Sequence, residues 1–382
     1  MSDAMQPAGA PLHTGEFHTG QLHTGLPPLD LSGRPVSFYE FWPPLVFYFP
    51  MFVYWAWLGL RHNGLALPTV ANPLFPVGGV IGESKLGVMD TVSGTARERI
   101  AAYTGVPARG HPGAVFKEAK ARMGERGLAY PVVAKPDIGS RGAGVRLIKS
   151  DEDLRRYVQI FPTGQTFILQ DFVPYEAEAG VFYVRMPDEE RGRLFSLTLK
   201  YFPYVVGDGR SSLRELIERD PRAGRLTKVY LPRHEEHLEE VLPEGMPFRL
   251  AFAGSHARGA IFRNGEPFIT PEMSAAFDRV ARSVPEFHFG RFDVRFKDLE
   301  SLQRGEDFVI IEINGAGGEA THIWDSRMSL WQAYRSLMRQ YRMLWEIAAR
   351  NRKRGYRPMT AFQVWRKYWN ELRLTAHYPQ TE

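Results

Sequence analysis

Residues 289–314 read FGRFDVRFKDLESLQRGEDFVIIEIN and contain two apolar runs, each of which carries charged or amide side chains at every second position. Alternate side chains of a β-strand lie on the same face of the sheet. If the two runs pair as a hairpin, Asp293, Glu312 and Asn314 share one face, with neighbouring Cβ atoms about 5 Å apart across the strands. Carboxylates that close repel each other unless a proton or a cation lies between them. The pattern therefore predicts a hairpin that binds Mg²⁺ through oxygen ligands, with solvated charges on an edge hairpin as the alternative.

The composition indicates a globular protein with an ample core. The chain has 382 residues, of which 44% are hydrophobic and 24% charged, so we expect two or three structural units rather than a disordered chain. It contains no cysteine, which excludes disulfides, thiolate metal ligands and cysteine nucleophiles.

The net charge of +5 is unevenly distributed along the chain. Twelve basic residues lie between Arg327 and Arg373, and only Glu346 and Glu371 oppose them, so this tail carries +10 and the remainder −5. A basic tail on an acidic body predicts a polyanionic partner. We expect an anionic membrane surface; nucleic acid is not expected, because it explains the tail but no other motif.

Residues 1–30 contain the triplet His-Thr-Gly three times, beginning at His13, His18 and His23. Three histidines could hold a metal, but the glycines oppose a helix and no fixed geometry follows from the spacing. We therefore expect a disordered tail over residues 1–35.

Residues 41–60 carry no charge, and nine of these twenty residues are aromatic. The length suffices to cross a bilayer, whereas Trp and Tyr favour the membrane interface. Pro43 and Pro44 suit a helix start, and Pro50 would kink the middle of the helix. The alternatives are a helix that spans or lies on a membrane, a buried aromatic helix, or an oligomer contact such as a homodimer interface.

From about Val70 the pattern alternates between strands and helices. Strand-like runs occupy 130–134, 167–170 and 181–185, and helices are predicted over 151–160 and 211–218 from their polar caps. After Asp325 the apolar residues recur at helical spacing, and a second, aromatic and basic helix is predicted over 362–374. These last helices either cap the core or present a membrane-surface face.

A lysine and a glycine-rich loop follow one of these strands. Residues 132–137 read VVAKPD and residues 139–145 read GSRGAGV. Three glycines in six residues allow backbone N–H groups to approach phosphates, and the strand holds Lys135 as a point cation for the same phosphates. The loop is neither a Walker loop, since no Gly-Lys-Ser/Thr follows, nor a Rossmann fingerprint, since no helix clearly opens from it.

The order of these motifs, with ILQDFV at 168–173 and the acidic pair Glu176 and Glu178 between loop and hairpin, resembles the ATP-grasp superfamily of carboxylate–amine ligases. The resemblance covers about residues 80–325. The segment KYFPYVVGDGRSSLRELI, which begins at Lys200, resembles the ligase domains of cyanophycin synthetase and bifunctional glutathione synthetase, and the chain resembles D-alanine–D-alanine ligase more distantly. Residues 82–85 and 104–107 look like the first phosphate lysine and the helix and loop that follow it.

The resemblance implies an α/β (α+β) ATP-grasp fold in which two subdomains grip ATP. After the tail we expect an N-terminal segment over 36–110, which holds the apolar helix at about 41–60 and a truncated preceding region. The lid subdomain would occupy 111–175 and the metal and substrate subdomain 176–325. Basic amphipathic helices would occupy 326–382.

The resemblance also implies roles at matching positions. Lys85 and Lys135 would contact the nucleotide phosphates, and Glu178 would bind the ribose, with Glu176 as its competitor. Two further sets of residues would form the lid over the phosphates and the hinge that holds adenine. The lid residues are Gly139, Ser140, Arg141, Gly142 and Gly144, and the hinge residues are Gln170, Asp171, Phe172 and Val173.

For the metal and the reacting groups, the resemblance implies that Asp293, Glu312 and Asn314 coordinate Mg²⁺, with Mn²⁺ as an alternative. Arg291 would stabilise the transferring phosphoryl group, and Lys200 could reach the same phosphates. Further candidates bind the substrates, each with a structural salt bridge or cap as the alternative. They are Arg185, His256 and Arg258 for a carboxylate, and Glu319 and Asp325 for an amine.

The implied reaction is ATP-dependent joining of a small-molecule carboxylate to an amine, in the cytoplasm or at the cytoplasmic face of the inner membrane. The sequence GAGGEATHIWD at 315–325 differs from the corresponding segment of D-alanine–D-alanine ligases, so a peptidoglycan dipeptide is not expected. The rival functions are a phosphotransferase on the same fold and a non-catalytic nucleotide-binding membrane protein.

Overall fold

The computed structural model describes residues 22–30, 34–139, 142–252, 254–256, 259–379 and 381. Its strands are β1 Tyr103–Pro107, β2 Val132–Pro136, β3 Arg146–Ile148, β4 Thr166–Asp171, β5 Ala177–Val184, β6 Arg193–Tyr201, β7 Tyr204–Val206, β8 Pro247–Arg249, β9 Ile261–Asn264, β10 Phe289–Phe296 and β11 Phe308–Asn314. Its α-helices are α1 Pro44–Arg61, α2 Lys85–Met89, α3 Pro112–Glu125, α4 Asp151–Ile160, α5 Leu213–Arg219, α6 Thr227–Arg233, α7 Pro271–Ser283, α8 Leu299–Gln303, α9 Leu330–Lys353 and α10 Ala361–Thr375.

The described strands form two main antiparallel sheets, in the order β1-β4-β2-β3 and β11-β10-β5-β6-β9, and a small β7-β8 pair. This mixed architecture confirms the predicted fold class. The predicted strands at 130–134, 167–170 and 181–185 correspond to β2, β4 and β5, and the two predicted helices correspond to α4 and α5.

The four-stranded sheet is covered by α3 and α4. Helix α4 begins where the Ser150 side chain accepts a hydrogen bond from the Asp153 N–H, and its three acidic first-turn residues favour a helix N-terminus. Its Leu154 and Tyr157 are buried against the sheet. Strand β1 lies before residue 111, so this sheet starts earlier than the predicted lid subdomain.

The five-stranded sheet is covered on both faces. Side chains alternate between these faces along each strand, and this alternation decides on which face the site lies. In β5, Val181 and Tyr183 face the core beneath α7, whereas Phe182 and Val184 face the core beneath α9. Helix α9 packs on this face of β5 only as far as Phe182. On the same face beyond that point the strands carry the polar residues Glu178, Lys200, Arg291, Asp293 and Arg295.

Helix α1 packs along α9 through one face. Phe47 and Met51 are buried between the helices, the Trp55 ring meets the Trp345 ring edge-on at 4.1 Å, and the Tyr334 hydroxyl donates to the Phe47 carbonyl at 2.8 Å. The opposite face of α1 is exposed and apolar. Among the residues described, no helix has both the length and the apolar character needed to cross a membrane.

Residues 22–30 differ from the expected disordered tail, because they pack against the five-stranded sheet. The buried His23 ring meets the Tyr201 ring edge-on at 5.1 Å, and the Tyr201 hydroxyl donates to the Pro27 carbonyl at 3.0 Å. Leu26 and Leu29 contact the core beneath α7. The first two His-Thr-Gly triplets lie outside the described residues.

The chain ends next to the glycine-rich loop. Helix α10 starts at a capping box formed by Thr360 and Gln363. Beyond it, the Tyr378 hydroxyl donates to the Ile138 carbonyl at 2.7 Å, and the Thr381 hydroxyl donates to the Gly142 carbonyl at 2.6 Å. The C-terminus thus holds both ends of the loop predicted to be the lid.

Candidate active site

One cavity of about 770 Å³ is lined by residues of both main sheets, a volume typical of small-molecule sites. The four-stranded sheet and its glycine-rich loop contribute one wall, and the five-stranded sheet contributes the facing wall. Segments before α2, at the start of α1 and after β11 complete it. Of the residues predicted for the site, the cavity is lined by Lys85, Lys135, Gly139, Gly142, Gln170, Asp171, Phe172, Val173, Glu178, Lys200, His256, Arg291, Asp293, Glu312, Asn314 and Glu319.

The predicted hairpin is present. Strands β10 and β11 pair antiparallel, with Asp293 opposite Glu312 and Arg291 opposite Asn314. The Arg291 guanidinium donates from Nε and Nη2 to the two Asp293 oxygens, both at 2.9 Å, and Asn314 Nδ2 donates to Asp293 at 3.1 Å. On β5, Gly180 leaves room for this pair, because a Cβ there would lie 3.0 Å from Arg291 Cδ.

Lys200 connects two buried carboxylates. Its Nζ donates to Glu178 at 2.9 Å and to Asp293 at 3.0 Å. Burial disfavours the ammonium, but the carboxylates of Asp293 and Glu178 outweigh it and raise the pKa of Lys200. Burial likewise disfavours the Asp293 carboxylate, but Arg291 and Lys200 hold its pKa below the usual range. Lys200 and Asp293 are therefore ionised and paired with opposite charges.

Two further lysines approach the cavity, Lys135 from β2 of the other sheet and Lys85 from the start of α2. Lys135 Nζ donates to Gln170 Oε1 and to the Ile311 carbonyl, both at 2.8 Å. Burial lowers the pKa of Lys135 to about 8. Lys85 Nζ donates to the Gly139 carbonyl at 2.5 Å and lies 3.6 Å from Glu312 Oε1. Both lysines are thus held beside the loop and the hairpin, where they can face phosphates.

Of the predicted lid residues, Gly139 and Gly142 line the cavity, whereas Ser140 and Arg141 lie outside the described residues. Gly144 does not line the cavity. Its N–H donates to the Thr381 hydroxyl at 3.1 Å, and its positive φ of 70° suits a glycine.

The four predicted hinge residues all line the cavity. At the end of this segment, Arg295 Nη1 donates to the Val173 carbonyl at 3.2 Å, and the Arg295 guanidinium lies over the Phe172 ring, 5.4 Å from its centroid. Glu178 lines the cavity next to the hinge, whereas its competitor Glu176 accepts from the Tyr204 hydroxyl at 2.8 Å and does not line it.

The chemistry of the hairpin donor set fits Mg²⁺. Asp293, Glu312 and Asn314 offer hard oxygen ligands on adjacent strands. The Asp293 carboxylate already attracts two cations, Arg291 and Lys200, and the Glu312 carboxylate attracts Lys85. Within the part of the chain that is described, no group of three or more His, Cys, Asp or Glu side chains is placed to hold a metal. Asn314 adds an amide oxygen to the two carboxylates at this hairpin.

Arg185 is not part of the site. It follows β5 at the end opposite Glu178, on the face covered by α7, and its guanidinium donates to the Phe287 carbonyl at 3.4 Å. Asp325 is also outside the cavity wall, since it is buried in ion pairs with Arg263 at 3.6 Å and Arg327 at 2.7 Å. Arg185 and Asp325 thus form structural contacts, which is the alternative given for them in the prediction.

His256 lines the cavity but is engaged with other side chains. Its Nε2 lies 3.0 Å from Glu40, and its ring stacks on Trp324 with centroids 4.6 Å apart. Glu40 also pairs with Arg222, and burial opposes the charge of Glu40, but His256 and Arg222 lower its pKa. His256 therefore anchors the cavity wall rather than presenting a free imidazole. Arg258 lies outside the described residues.

Glu83 is a site residue that the sequence analysis does not identify, although it stands two residues before Lys85. Its Oε2 accepts from the Gly315 N–H at 2.9 Å, and its Oε1 is buried without a partner among the described residues. Burial raises the pKa of Glu83 to about 8. The acid in the sequence GESK next to a phosphate lysine is the signal that could have found it.

Comparison with known proteins finds cyanophycin synthetase of Trichormus variabilis, which is 26% identical over 259 residues, covering 63% of this chain and 28% of that protein. This chain therefore spans little more than a quarter of the length of the relative. Among solved structures, bifunctional glutathione synthetase from Pasteurella multocida is 14% identical, with 67% of this chain and 36% of that chain covered and a TM-score of 0.33. D-alanine-D-alanine ligase from Coxiella burnetii is 8% identical, with 78% and 64% covered and a TM-score of 0.38. No family model matches the chain. The sequence match confirms the predicted resemblance to ATP-grasp carboxylate–amine ligases.

Proposed function

We propose that this chain is an ATP- and Mg²⁺-dependent ligase that activates a carboxylate and joins it to an amine. The observation that carries the proposal is the cavity between the two sheets. Lys135 on one sheet and Lys85 at the start of α2 face a hairpin with paired carboxylates on the other sheet, and the four hinge residues border the same space. A nucleotide needs both features, an adenine edge and a cationic and metal-binding phosphate end.

The nucleotide roles follow from this placement. Lys135 and Lys85 bind the phosphates, and the loop residues Gly139 and Gly142 close over them. The backbone of the hinge binds adenine, and Glu178 binds the ribose. Because Lys135 is buried, its charge acts in a low-dielectric site and contributes strongly to phosphate binding.

Asp293, Glu312 and Asn314 would hold Mg²⁺, with Mn²⁺ as the alternative. The bound ion would neutralise phosphate charge in the reaction. Lys200 and Arg291 keep the Asp293 carboxylate ionised before the ion arrives, so the ligand is available in its anionic form.

In the proposed reaction, a carboxylate oxygen attacks the γ-phosphorus of ATP, and the bond from that phosphorus to the β,γ-bridging oxygen breaks to give ADP and an acyl phosphate. The amine nitrogen then attacks the acyl carbon, the C–N bond forms, and inorganic phosphate leaves with the electron pair of the C–O bond. The amine attacks in its neutral form, and the proton that its nitrogen then loses goes to the departing phosphate. Positioning and charge neutralisation carry this chemistry, so no protein nucleophile is needed.

Arg291 is suited to the developing phosphoryl charge because its orientation is fixed. Asp293 accepts from two of its nitrogens, and the Glu319 carbonyl accepts from Nη1 at 2.9 Å. A guanidinium held on three sides loses little entropy when it meets the transition state.

The proposal is tested by measuring ADP and inorganic phosphate with a panel of acid–amine pairs. Equal amounts of ADP, phosphate and amide support the ligase. A stable phosphoester in place of free phosphate selects the phosphotransferase, and nucleotide binding without any turnover selects the non-catalytic protein.

We also propose that the protein acts at an anionic membrane surface. Helices α1 and α10 both border the cavity, and both expose apolar side chains, such as Leu45 and Phe49 on α1 and Phe362 and Trp365 on α10. Basic residues of α10 are exposed as well; they include Arg366, Lys367 and Arg373. Apolar and basic side chains on one helix are typical of an interfacial helix.

The membrane proposal is tested by sedimentation with phosphatidylcholine vesicles that contain or lack phosphatidylserine, over a range of salt concentrations. Binding that requires phosphatidylserine and weakens when Trp365 and Trp369 are replaced by Ala supports it. Trp331→Ala is the matched control, since this tryptophan is 67% exposed on α9. Binding to duplex DNA but not to vesicles contradicts the proposal.

A further inference from the structure

The cavity has a second end, which faces away from the hinge and is aromatic. The segment that starts α1 contributes Phe47 and Tyr48, and Trp324 closes the wall after β11. The Phe47 ring lies 4.6 Å from the Trp324 ring and 4.9 Å from the Tyr48 ring. We call the four residues Phe47, Tyr48, Glu319 and Trp324 the acceptor wall.

Glu319 is the charged group of the acceptor wall. The Tyr48 hydroxyl donates to Glu319 Oε1 at 2.7 Å, and Trp324 Nε1 donates to Oε2 at 3.0 Å. Both donors are neutral. No Lys, Arg or His nitrogen of the described residues forms an ion pair with this carboxylate within 4.0 Å. Glu319 therefore differs from Glu178, Asp293 and Glu312, each of which has a cationic partner.

A carboxylate without an ion-pair partner among the described residues, set in an aromatic wall, has the chemistry of a site for an organic cation. Each Glu319 oxygen accepts one described hydrogen bond and has a lone pair left for an ammonium N–H. The nearby Thr321 Oγ1 lines the same cavity and is buried without a partner among the described residues.

The acceptor wall also lies next to the reacting centre. Arg291 Nη1 donates to the backbone carbonyl of Glu319 at 2.9 Å, so the group proposed to face the phosphoryl touches the residue that carries the free charge. An ammonium bound at the Glu319 side chain would lie beside the acyl phosphate. The hydrogen bonds from Tyr48 and Trp324 fix the carboxylate in that direction.

We propose that the acceptor wall is the binding site of the amine substrate, and that this substrate is a primary amine, bound as its ammonium ion, with an apolar or aromatic substituent. The ammonium binds Glu319 and gives one proton to that carboxylate before its nitrogen attacks as the neutral amine, and the substituent packs against Tyr48 and Trp324. This inference rests on the proposed ligase function for the use made of the amine, but the binding site itself does not depend on ATP. Helix α1 is then part of the active site as well as a packing partner of α9.

The test uses phenethylamine as a probe and 2-phenylethanol as its neutral counterpart, with affinities measured by isothermal titration calorimetry at pH 7. We expect the wild-type protein to prefer the amine, and Glu319→Gln to bind it about tenfold more weakly or worse. The alcohol should bind both proteins equally. Glu190→Gln, which removes an exposed carboxylate outside the cavity, is the matched control and should match the wild type.

Tyr48→Phe is the second variant, since it removes one hydrogen bond to Glu319 and keeps the ring. It should weaken amine binding about threefold to tenfold. Equal affinity of the wild type and Glu319→Gln for phenethylamine, or equal affinity of the wild type for amine and alcohol, would overturn the proposal. If Glu319→Gln fails to fold, unchanged amine binding by Tyr48→Phe overturns it instead.

A titration with ADP and Mg²⁺ separates this inference from the function on which it rests. Normal ADP binding together with no preference for the amine overturns the acceptor wall and leaves the ligase proposal standing. If Glu319→Gln removes the preference for the amine, and the wild-type protein does not bind ADP, the acceptor wall is supported and the ligase proposal is contradicted.

Discussion

The two ends of the cavity are built in different ways. At the nucleotide end, the functional side chains stand on strands: Lys135 on β2, Lys200 on β6, Asp293 on β10 and Glu312 on β11. Glu178, Asp293 and Glu312 each have a cationic partner there. At the acceptor end, Glu319 lies in a connection after β11 and is completed by Tyr48, which is 271 residues away in the chain. Among the described residues, its carboxylate accepts hydrogen bonds from the neutral donors Tyr48 and Trp324.

The two ends therefore differ both in how their charges are paired and in which parts of the chain supply their residues. The paired charges of the nucleotide end hold one another in place, and we propose that they bind phosphates and a metal ion, which are highly charged. The acceptor end holds one charge with neutral hydrogen bonds, which suits a ligand with a single positive charge. We expect substitutions at the two ends to affect different substrates.

The largest effect is expected at the nucleotide end from Asp293→Asn. The change removes a metal ligand and leaves Arg291 and Lys200 without their shared partner. Turnover should fall by about a thousandfold or more, as measured by ADP release. Asp188→Asn, at an exposed ion pair with Arg350, is the control. Turnover of Asp293→Asn close to that of the wild type would contradict the metal assignment.

Lys135 should make nucleotide binding depend on pH. Its pKa of about 8 means that the cation is present below this pH and is lost as the pH rises through it, so ADP affinity should fall above pH 8. Lys135→Arg keeps the charge at all these pH values and should flatten the profile between pH 7 and 10. A wild-type affinity that stays constant over this range would show that Lys135 does not bind the phosphates.

Substitution at the acceptor end should leave the nucleotide end intact. Tyr48→Phe is expected to raise the KM for the amine about threefold to tenfold while the KM for ATP stays unchanged, because the change removes a hydrogen bond to the Glu319 carboxylate. Steady-state kinetics with each substrate varied in turn provide the measurement. A rise in the KM for ATP of equal size would show that the two ends are not separate.

The smallest effect concerns stability and arises from Glu83, between the ends. Its pKa is about 8 when folded and near its ordinary value when unfolded, so between these values the folded state holds an extra proton. The free energy of unfolding therefore falls as the pH rises. Glu83→Gln should raise stability by about 1–3 kcal/mol at pH 8 and by less at pH 5, as measured by urea unfolding. The opposite pH trend would contradict a proton on Glu83.

Much of the nucleotide end is predictable because its residues follow the period of a strand. Arg291, Asp293 and Arg295 alternate with large apolar residues, and this alternation alone predicts that they share one face. The start of α4 is equally readable from Ser150 and the acids after it. In contrast, β1 is not predicted as a strand. Its sequence YTGVP contains Gly and Pro, which are poor strand formers, and its edge pairing with β4 stabilises it.

The acceptor end cannot be assembled from the sequence, because its parts meet only through tertiary packing. Glu319 is a candidate from its sequence context, but its partners Tyr48 and Trp324 belong to a helix that resembles a membrane segment and to a single helical turn without periodicity. Arg185 shows the opposite error. Its closeness to the hinge in sequence suggests a site residue, but the alternation of β5 places it on the face beneath α7.

The central claim is that the cavity activates a carboxylate through an acyl phosphate. It is tested most directly by following ¹⁸O from a labelled carboxylate substrate in a turning-over acid–amine pair, with ³¹P NMR of the released phosphate. We expect each inorganic phosphate to contain one ¹⁸O atom, and we expect phosphate, ADP and amide to form in equal amounts. Unlabelled phosphate, with both ¹⁸O atoms retained in the carboxylate or its product, would contradict it.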